Sequence, residues 1–161
     1  MVDAHRREGM VPANDADGWG HPFVHRIKVR WGDCDPANIA YTGRIPDFAL
    51  EAIEAWWQHH TSLDWYQINL DRKIGTPFVH MAMDFRSPVT PRHLLECQVA
   101  LKELGDHSIT HAVRAFQGGV LCFTGEFVAA FVDATMMKPR ALPHDLVAAI
   151  KATAPKASPS R

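Results

Sequence analysis

Apolar residues recur every three to four positions over 44–60, which makes this helix the clearest prediction in the chain. These residues, at the spacing of one helical face, are Ile45, Phe48, Ala49, Ala52, Ile53, Trp56, Trp57 and His60. Pro46 falls in the first turn, where a missing backbone N–H costs little. Because the apolar face is wide and includes two Trp, we expect the helix to be wrapped by a sheet.

Segments of β-prone residues flank this helix on both sides. We predict strands at about 23–31, 78–87, 93–104, 108–117 and 120–132. Gly105-Asp106 and Gly118-Gly119 are hairpin signals between adjacent antiparallel strands. One helix against one antiparallel sheet is an α+β arrangement, and the uncovered face and edges of such a sheet favour self-association.

The chain has 161 residues, of which 47% are hydrophobic, so it can build one domain with a real core. We place this domain at 21–151, between a flexible arm at 1–20 and a flexible tail at 152–161. Within this domain, the sequence of 61–72 is typical of a short helix or loop. The sequence of 143–151 is typical of a short helix that closes the domain. No internal repeat interrupts this single-domain organisation.

Charge and cysteine usage narrow the class of protein. A formal net charge of −1 gives no case for broad binding to nucleic acid or a membrane surface. Three cysteines, Cys34, Cys97 and Cys122, match no zinc or disulfide spacing, which indicates a reducing compartment. No apolar run is long enough to cross a bilayer, and 1–20 lacks the apolar segment of a secretory signal. We therefore expect a cytoplasmic protein.

Between the first strand and the helix, Gly32-Asp33-Cys34-Asp35-Pro36-Ala37 breaks the β pattern. A carboxylate beside the start of a helix faces backbone N–H groups that have no partner within the helix. This combination can carry out acyl transfer, because a base or nucleophile meets the carbonyl carbon while N–H donors meet its oxygen. Spacing alone favours ordinary turn or N-cap roles for both acids.

The same six residues resemble the turn of the 4-hydroxybenzoyl-CoA thioesterase family, within the hotdog-fold acyl-CoA thioesterases. Gly75-Thr76-Pro77 is similar to the tripeptide that opens that family's second strand, and the resemblance spans about 23–135. It implies a five-stranded antiparallel sheet wrapped around one long helix. It also implies two chains paired edge to edge through their sheets, with active sites at the dimer interface.

The resemblance further implies which groups act. The family's catalytic carboxylate is the second Asp of the turn, which falls on Asp35, as nucleophile or as general base. The family's oxyanion is met by backbone N–H groups at the start of the helix, here around Tyr41 and Thr42. Tyr41 can equally line the acyl pocket or pack at the helix start, and Asp33 is expected to shape the turn. The chemistry requires no cofactor and no metal.

Two departures from the family pattern concern substrate binding. Arg44-Ile45 precedes Pro46, where the family usually has an Asn-Tyr or similar pair. Gly105-Asp106-His107 stands where the 4-hydroxybenzoyl enzyme has a basic cluster for the nucleotide 3′-phosphate. Our candidates for the CoA phosphates are Arg86, Arg92, Lys102, His107 and Arg114.

The sequence is therefore interpreted as an acyl-CoA thioesterase that releases a carboxylic acid and free CoA. The aromatic-lined helix accommodates an aryl or a medium aliphatic acyl group equally. Two alternatives are a non-catalytic hotdog module that binds an acyl chain and a thioesterase acting on an acyl carrier protein. We expect a homodimer or homotetramer, with neither nucleic acid nor membrane as a partner.

Overall fold

The computed structural model describes residues 19–153, so nearly all of the predicted arm (1–20) and tail (152–161) lies outside the described residues. Two helices and seven strands follow one another in this part of the chain. In order they are β1 (Phe23–Ile27), α1 (Ile45–Thr61), β2 (Ile74–Gly75), β3 (Phe78–Phe85), β4 (Leu95–Leu104), β5 (Ser108–Gln117), β6 (Val120–Ala130), β7 (Val132–Asp133) and α2 (His144–Lys151). No helix in 19–153 is both long enough and apolar enough to cross a membrane.

Five strands form one antiparallel sheet in the order β1-β4-β5-β6-β3. Both predicted hairpins are confirmed, since β4 pairs with β5 and β5 pairs with β6. Gly118 and Gly119 have φ values of 55° and 80°, which only glycine adopts at no steric cost. The predicted α+β architecture, a five-stranded antiparallel sheet around one long helix, is confirmed.

Helix α1 packs its apolar face against one face of this sheet. The buried residues of α1 are Ile45, Phe48, Ala49, Ala52, Ile53, Trp56 and Trp57, as the spacing predicted. They meet inward-facing strand residues such as Cys97, Val113 and Phe127, all fully buried. Each large side chain removed from water contributes about 1.5–3 kcal/mol, so this contact dominates the stability of the domain.

The first strand is shorter than predicted, and the strand assignment over 28–31 is wrong. Strand β1 ends at Ile27, and Trp31–Asp33 forms a 3₁₀ turn in which Trp31 is 71% exposed. The cause is local, because the Asp33 carboxylate accepts the Arg30 backbone N–H at 2.8 Å and turns the chain out of the sheet.

Smaller differences lie at the ends of the other strands. Strand β3 ends at Phe85 and β4 begins at Leu95, because two prolines in the connection, Pro88 and Pro91, lack the N–H that a ladder needs. Strand β6 ends at Ala130. A separate two-stranded ladder of β2 and β7, and a π-helical turn at Gln67–Asp71, were not predicted.

Candidate active site

The loop between β1 and α1 closes on itself before the helix begins. A bridge joins Cys34 to Ala40, and the Asp35 N–H donates to the Ile39 carbonyl at 3.0 Å. Inside the loop, the Asn38 N–H donates to the Asp35 carbonyl at 2.9 Å, which places Asn38 at a φ of 63°. Asn tolerates this left-handed conformation better than most residues do. The loop therefore holds Asp35 at a fixed place in the segment that leads into α1.

The two carboxylate oxygens of Asp35 have different surroundings. Oδ1 accepts the Ala37 backbone N–H at 2.8 Å, which is the geometry of an Asx turn. Oδ2 accepts no hydrogen bond from any residue in 19–153, and the side chain is half-buried. One oxygen thus orients the carboxylate, and the other is available to a ligand.

Backbone N–H groups at the head of α1 divide into paired and unpaired donors. The Tyr41 N–H donates to the Asp33 carbonyl at 2.9 Å, so it is already used. The N–H groups of Thr42 and Gly43 have no hydrogen-bond acceptor within the described part of the chain. The Tyr41 ring lies against Gly43, where an added Cβ would come within 2.6 Å of it, and the ring is 58% exposed.

Arg44 connects the turn to the helix through two carboxylates. Its Nη2 and Nε donate to Asp33 Oδ1 at 2.9 and 3.1 Å, and its Nη1 donates to Asp47 Oδ2 at 2.6 Å. The Asp33 side chain is only 12% exposed. The Arg30 N–H, and then Arg44, hold the pKa of the Asp33 carboxyl below its usual value. Asp33 is therefore an ionised structural group, in agreement with the turn-shaping role expected for it.

A cavity of about 290 Å³ opens beside the head of α1. Its walls come from the end of the turn, the first residues of α1 and the connection that follows β3. The lining residues are Ile39, Ala40, Thr42, Ile45, Phe85, Arg86, Ser87, Pro88, Val89, Cys122 and Phe123. Asp35 is outside this lining, but the Ile39 carbonyl that accepts its N–H belongs to a lining residue.

Long-range backbone bonds hold the two walls together. The Ala40 N–H donates to the Val89 carbonyl at 2.7 Å, which ties the turn to the β3–β4 connection. The Arg86 and Ser87 N–H groups both donate to the Cys122 carbonyl, at 2.8 and 3.1 Å. Burial raises the pKa of the Cys122 thiol, so this lining residue is a neutral apolar group at physiological pH.

The five basic candidates for phosphate binding do not form one cluster. Arg86 lines the cavity, and Arg92 lies exposed further along the same connection. Lys102 pairs with Glu126, while Arg114 donates to Gln98 Oε1 at 2.7 Å and lies 4.3 Å over the Trp19 ring. His107 lies exposed in the β4–β5 turn.

Sequence reasoning missed several residues that shape the site. Phe85, Ser87 and Val89 reach it from a distant segment whose only local signal was the proline-rich break after β3. Gly43 and the linking role of Arg44 were also missed. The spacing of Arg44 from Asp33 and Asp47 was visible, but a side-chain contact across a turn of eleven residues has no periodic signature.

Comparison with known proteins identifies the family. The model of the thioesterase-like superfamily matches residues 29–150. A crystal structure of a thioesterase superfamily protein from Jannaschia sp. CCS1 shares 48% sequence identity with the chain, with a TM-score of 0.80 over 91% of this chain and 99% of that one. No match was found among curated proteins.

More distant structures share the fold. A 1,4-dihydroxy-2-naphthoyl-CoA thioesterase from Synechocystis is 20% identical with a TM-score of 0.73, covering 81% of this chain and 96% of that one. A gentisyl-coenzyme A thioesterase is 20% identical with a TM-score of 0.71, covering 80% and 99%. The fold and the loop that carries Asp35 define a hotdog-fold protein. The chain belongs to the thioesterase-like superfamily.

Proposed function

We propose that the protein hydrolyses acyl-CoA thioesters to a carboxylic acid and free CoA. The observation that carries the proposal is that one loop contains both an Asp35 carboxylate oxygen without a partner in the described chain and, seven residues on, the unpaired N–H of Thr42, which lines the cavity. Membership of the thioesterase-like superfamily supports the same reaction class.

Asp35 could promote hydrolysis of the thioester by either of two mechanisms. In the first, Oδ2 attacks the thioester carbonyl carbon, CoA thiolate leaves, and water then hydrolyses the acyl-aspartyl anhydride. In the second, Asp35 removes a proton from water as the water attacks, and the leaving thiolate takes up a proton. Both routes consume one water and regenerate the carboxylate.

The developing oxyanion needs donors that are free before substrate arrives. Because the Tyr41 N–H is bonded to Asp33, we assign this role to the Thr42 N–H, with the Gly43 N–H beside it. One well-placed donor of this kind lowers the barrier by about 3–4 kcal/mol. Tyr41 then contributes through its exposed side chain, which rests on Gly43.

The cavity wall fits an apolar acyl group with a cation at one side. Phe85, Val89 and Phe123 suit an aryl or a medium aliphatic group equally. We propose Arg86 as the first contact for a CoA phosphate, because it is the one among the five basic candidates that lines the cavity. Arg92 would follow along the same connection, whereas Lys102 and Arg114 already have protein partners.

We also propose that two copies pair along β3, which is an edge of the sheet. On its helix-facing side, Met81 is 51% and Phe85 is 56% exposed, although their partners on β6, Phe127 and Phe123, are fully buried. An apolar edge strand of eight residues favours pairing with another strand. The likeness of the sequence to the family supports a dimer of this kind, alone or within a tetramer.

The test is thiol release from a panel of aryl and aliphatic acyl-CoA thioesters, with the wild type compared with Asp35→Asn. We expect the variant to lose more than 99% of the rate while its thermal unfolding midpoint stays close to that of the wild type. Asp71→Asn, an exposed acid at the end of the π-helical turn at Gln67–Asp71, is the matched control and should keep full activity.

If Asp35→Asn keeps most of its rate, Asp35 is neither the nucleophile nor the general base. Acyl-CoA binding without turnover by the wild type would instead support the non-catalytic acyl-binding module. Release from acyl carrier protein, with none from CoA thioesters, would support the carrier-protein thioesterase.

A further inference from the structure

The connection between β3 and β4 forms one wall of the cavity beside the head of α1. It spans 86–94 and contains neither helix nor strand. Two of its residues, Pro88 and Pro91, have no backbone N–H to donate. Contacts from other elements must therefore fix the place of this wall.

Gln117, the last residue of β5, holds this connection with its side-chain amide. It continues the alternation of buried positions at Val113 and Ala115, and it is only 7% exposed. Its Nε2 donates to the Thr90 and His93 carbonyls at 2.7 and 2.8 Å, and its Oε1 accepts the Thr90 N–H at 2.9 Å. Because two carbonyl oxygens require the NH₂ group, only one orientation of the amide satisfies all three bonds.

One of these bonds reaches the peptide group that anchors the turn containing Asp35. The Val89 carbonyl and the Thr90 N–H belong to the same planar peptide group. Its N–H donates to Gln117 Oε1 at 2.9 Å, and its oxygen accepts the Ala40 N–H at 2.7 Å. Hydrogen bonds linked in this way polarise one another, so the Gln117 amide both orients and strengthens the contact with Ala40.

Ala40 lies two residues before the proposed oxyanion donor. Between them, the Tyr41 N–H donates to the Asp33 carbonyl at 2.9 Å, whereas the Thr42 N–H has no acceptor in the described part of the chain. Two consecutive N–H groups are therefore fixed, and the third is available. A donor stabilises an oxyanion best when it is held in place before the charge develops.

We propose that Gln117 is a positioning residue, which places the Thr42 N–H for the developing oxyanion through the Val89–Thr90 peptide group and Ala40. Gln117 is outside the lining of the cavity, so it acts through these groups and not on the substrate. This inference rests on the proposed thioesterase function. It predicts an effect on kcat with little effect on KM, because the oxyanion exists only after attack on the carbonyl.

Gln117→Met gives the first test, because it keeps the length of the side chain and removes the amide. The substrate is the fastest of benzoyl-CoA, phenylacetyl-CoA and hexanoyl-CoA. We expect kcat to fall about tenfold to hundredfold and KM to stay within about twofold of the wild-type value. Gln98→Met is the matched control, since Gln98 is also 7% exposed but its Oε1 accepts a bond from the Arg114 side chain on β5. It should lose stability and keep kcat.

Gln117→Glu gives the second test through its pH profile. An ionised carboxylate has no hydrogen for the Thr90 and His93 carbonyls, whereas the neutral acid donates one. Burial raises the pKa of a carboxyl introduced at this site. The kcat of Gln117→Glu, relative to that of the wild type at the same pH, should therefore rise as the pH is lowered from about 8 to about 5.5. The same ratio for Gln117→Met should not change with pH.

Circular dichroism checks folding at each pH. Gln117→Asn, which keeps the amide on a shorter side chain, replaces Gln117→Met if that variant does not fold, and it should also lose kcat.

The outcomes separate this inference from the proposed function. A wild type that releases no thiol from any of the three substrates contradicts the thioesterase proposal itself. An active wild type in which Gln117→Met keeps its kcat, changes KM alone, or loses no more kcat than Gln98→Met leaves that proposal standing and overturns the role of Gln117. A kcat ratio for Gln117→Glu that is independent of pH also overturns it.

Discussion

Two carboxylates, two residues apart in the turn, have opposite environments. Asp33 accepts hydrogen bonds on both oxygens, from Arg30 and Arg44, whereas Asp35 keeps one oxygen without a partner in the described chain. The pKa of Asp33 is lowered, so its contribution to stability is complete above the unfolded value near 3.8 and is lost as the pH falls below it. Asp33 therefore supports the turn across the range in which Asp35 would work.

Arg44 should act as a positioning residue. Lys at this site cannot reach both Asp33 and Asp47 with a planar fork, so Arg44→Lys should lower kcat about threefold to tenfold with little change in KM. Arg44→Ala should lower kcat further while costing only about 1 kcal/mol of stability, because the side chain is 45% exposed. Steady-state kinetics and urea unfolding measure the two effects.

Arg26→Ala is the control for Arg44, since it removes an exposed ion pair with Glu96 on β1. It should leave kcat unchanged. A rise in KM at constant kcat in Arg44→Lys would instead indicate a direct contact between Arg44 and the substrate.

His111 should make the fold sensitive to acid. It is fully buried, both ring nitrogens lack partners among the described residues, and its ring lies 4.6 Å from that of Trp56. Burial lowers its pKa to about 3, so between about pH 6.5 and 3 only the unfolded chain takes up the proton. Above pH 6.5, His111 therefore does not reduce the free energy of unfolding. Below pH 6.5, it lowers that free energy by up to about 1.4 kcal/mol per pH unit.

Urea unfolding at pH 7.5 and 5.5 checks this expectation. His111→Phe should remove part of the pH dependence, while His21→Gln, at an exposed position, should not. Equal pH dependence in wild type and His111→Phe would show that other groups cause the acid sensitivity.

At the scale of elements, the helix and strands that were predicted correctly are those with a periodic pattern of buried positions. Helix α1 and strands β3 to β6 were found because their buried positions repeat, and the Gly pairs marked the hairpins. The end of β1 was not found, because a side-chain bond from Asp33 competes with the ladder. The two-residue ladder of β2 and β7 is too short to have a period.

The candidate site was predictable only where it is local. The turn with Asp35 was found as a contiguous motif, and the helix start nearby gave the donors in outline. That the Tyr41 N–H is used by Asp33 depends on how the turn closes. The wall at Val89 depends on a backbone bond across almost fifty residues, which no local pattern encodes.

Asn38 should set the shape of the turn as an element. At a φ of 63°, a β-branched residue is strained, so Asn38→Val should cost about 1–2 kcal/mol of stability. The strain should also displace Asp35, whose carbonyl accepts the Asn38 N–H, and lower kcat more than KM. Asn38→Gly is the matched control, because Gly adopts this conformation freely and should keep both stability and kcat. A fully active, stable Asn38→Val would show that the turn tolerates other geometries.

For the whole molecule, the two edges of the sheet differ. Strand β1 has five residues and carries Arg26 and His25, both with acidic partners, features that discourage pairing. Strand β3 has eight residues and exposes Met81 and Phe85 on its helix-facing side. Only the second edge offers both a long unpaired ladder and apolar surface to cover, so association should use β3.

Met81→Lys tests this association and its link to turnover. Near the centre of a two-fold antiparallel pair, position 81 lies close to its own copy, so two Lys would meet within about 5 Å and repel. We expect a folded monomer that has lost most of the proposed thioesterase activity, because the resemblance to the family implies an active site at the dimer interface. Sedimentation velocity over a range of concentrations and thiol release measure the two properties together. Val24→Lys, on the β1 edge, should remain dimeric and active. A monomeric Met81→Lys with wild-type kcat/KM would place the whole site within one chain, and a fully dimeric one would place the interface elsewhere.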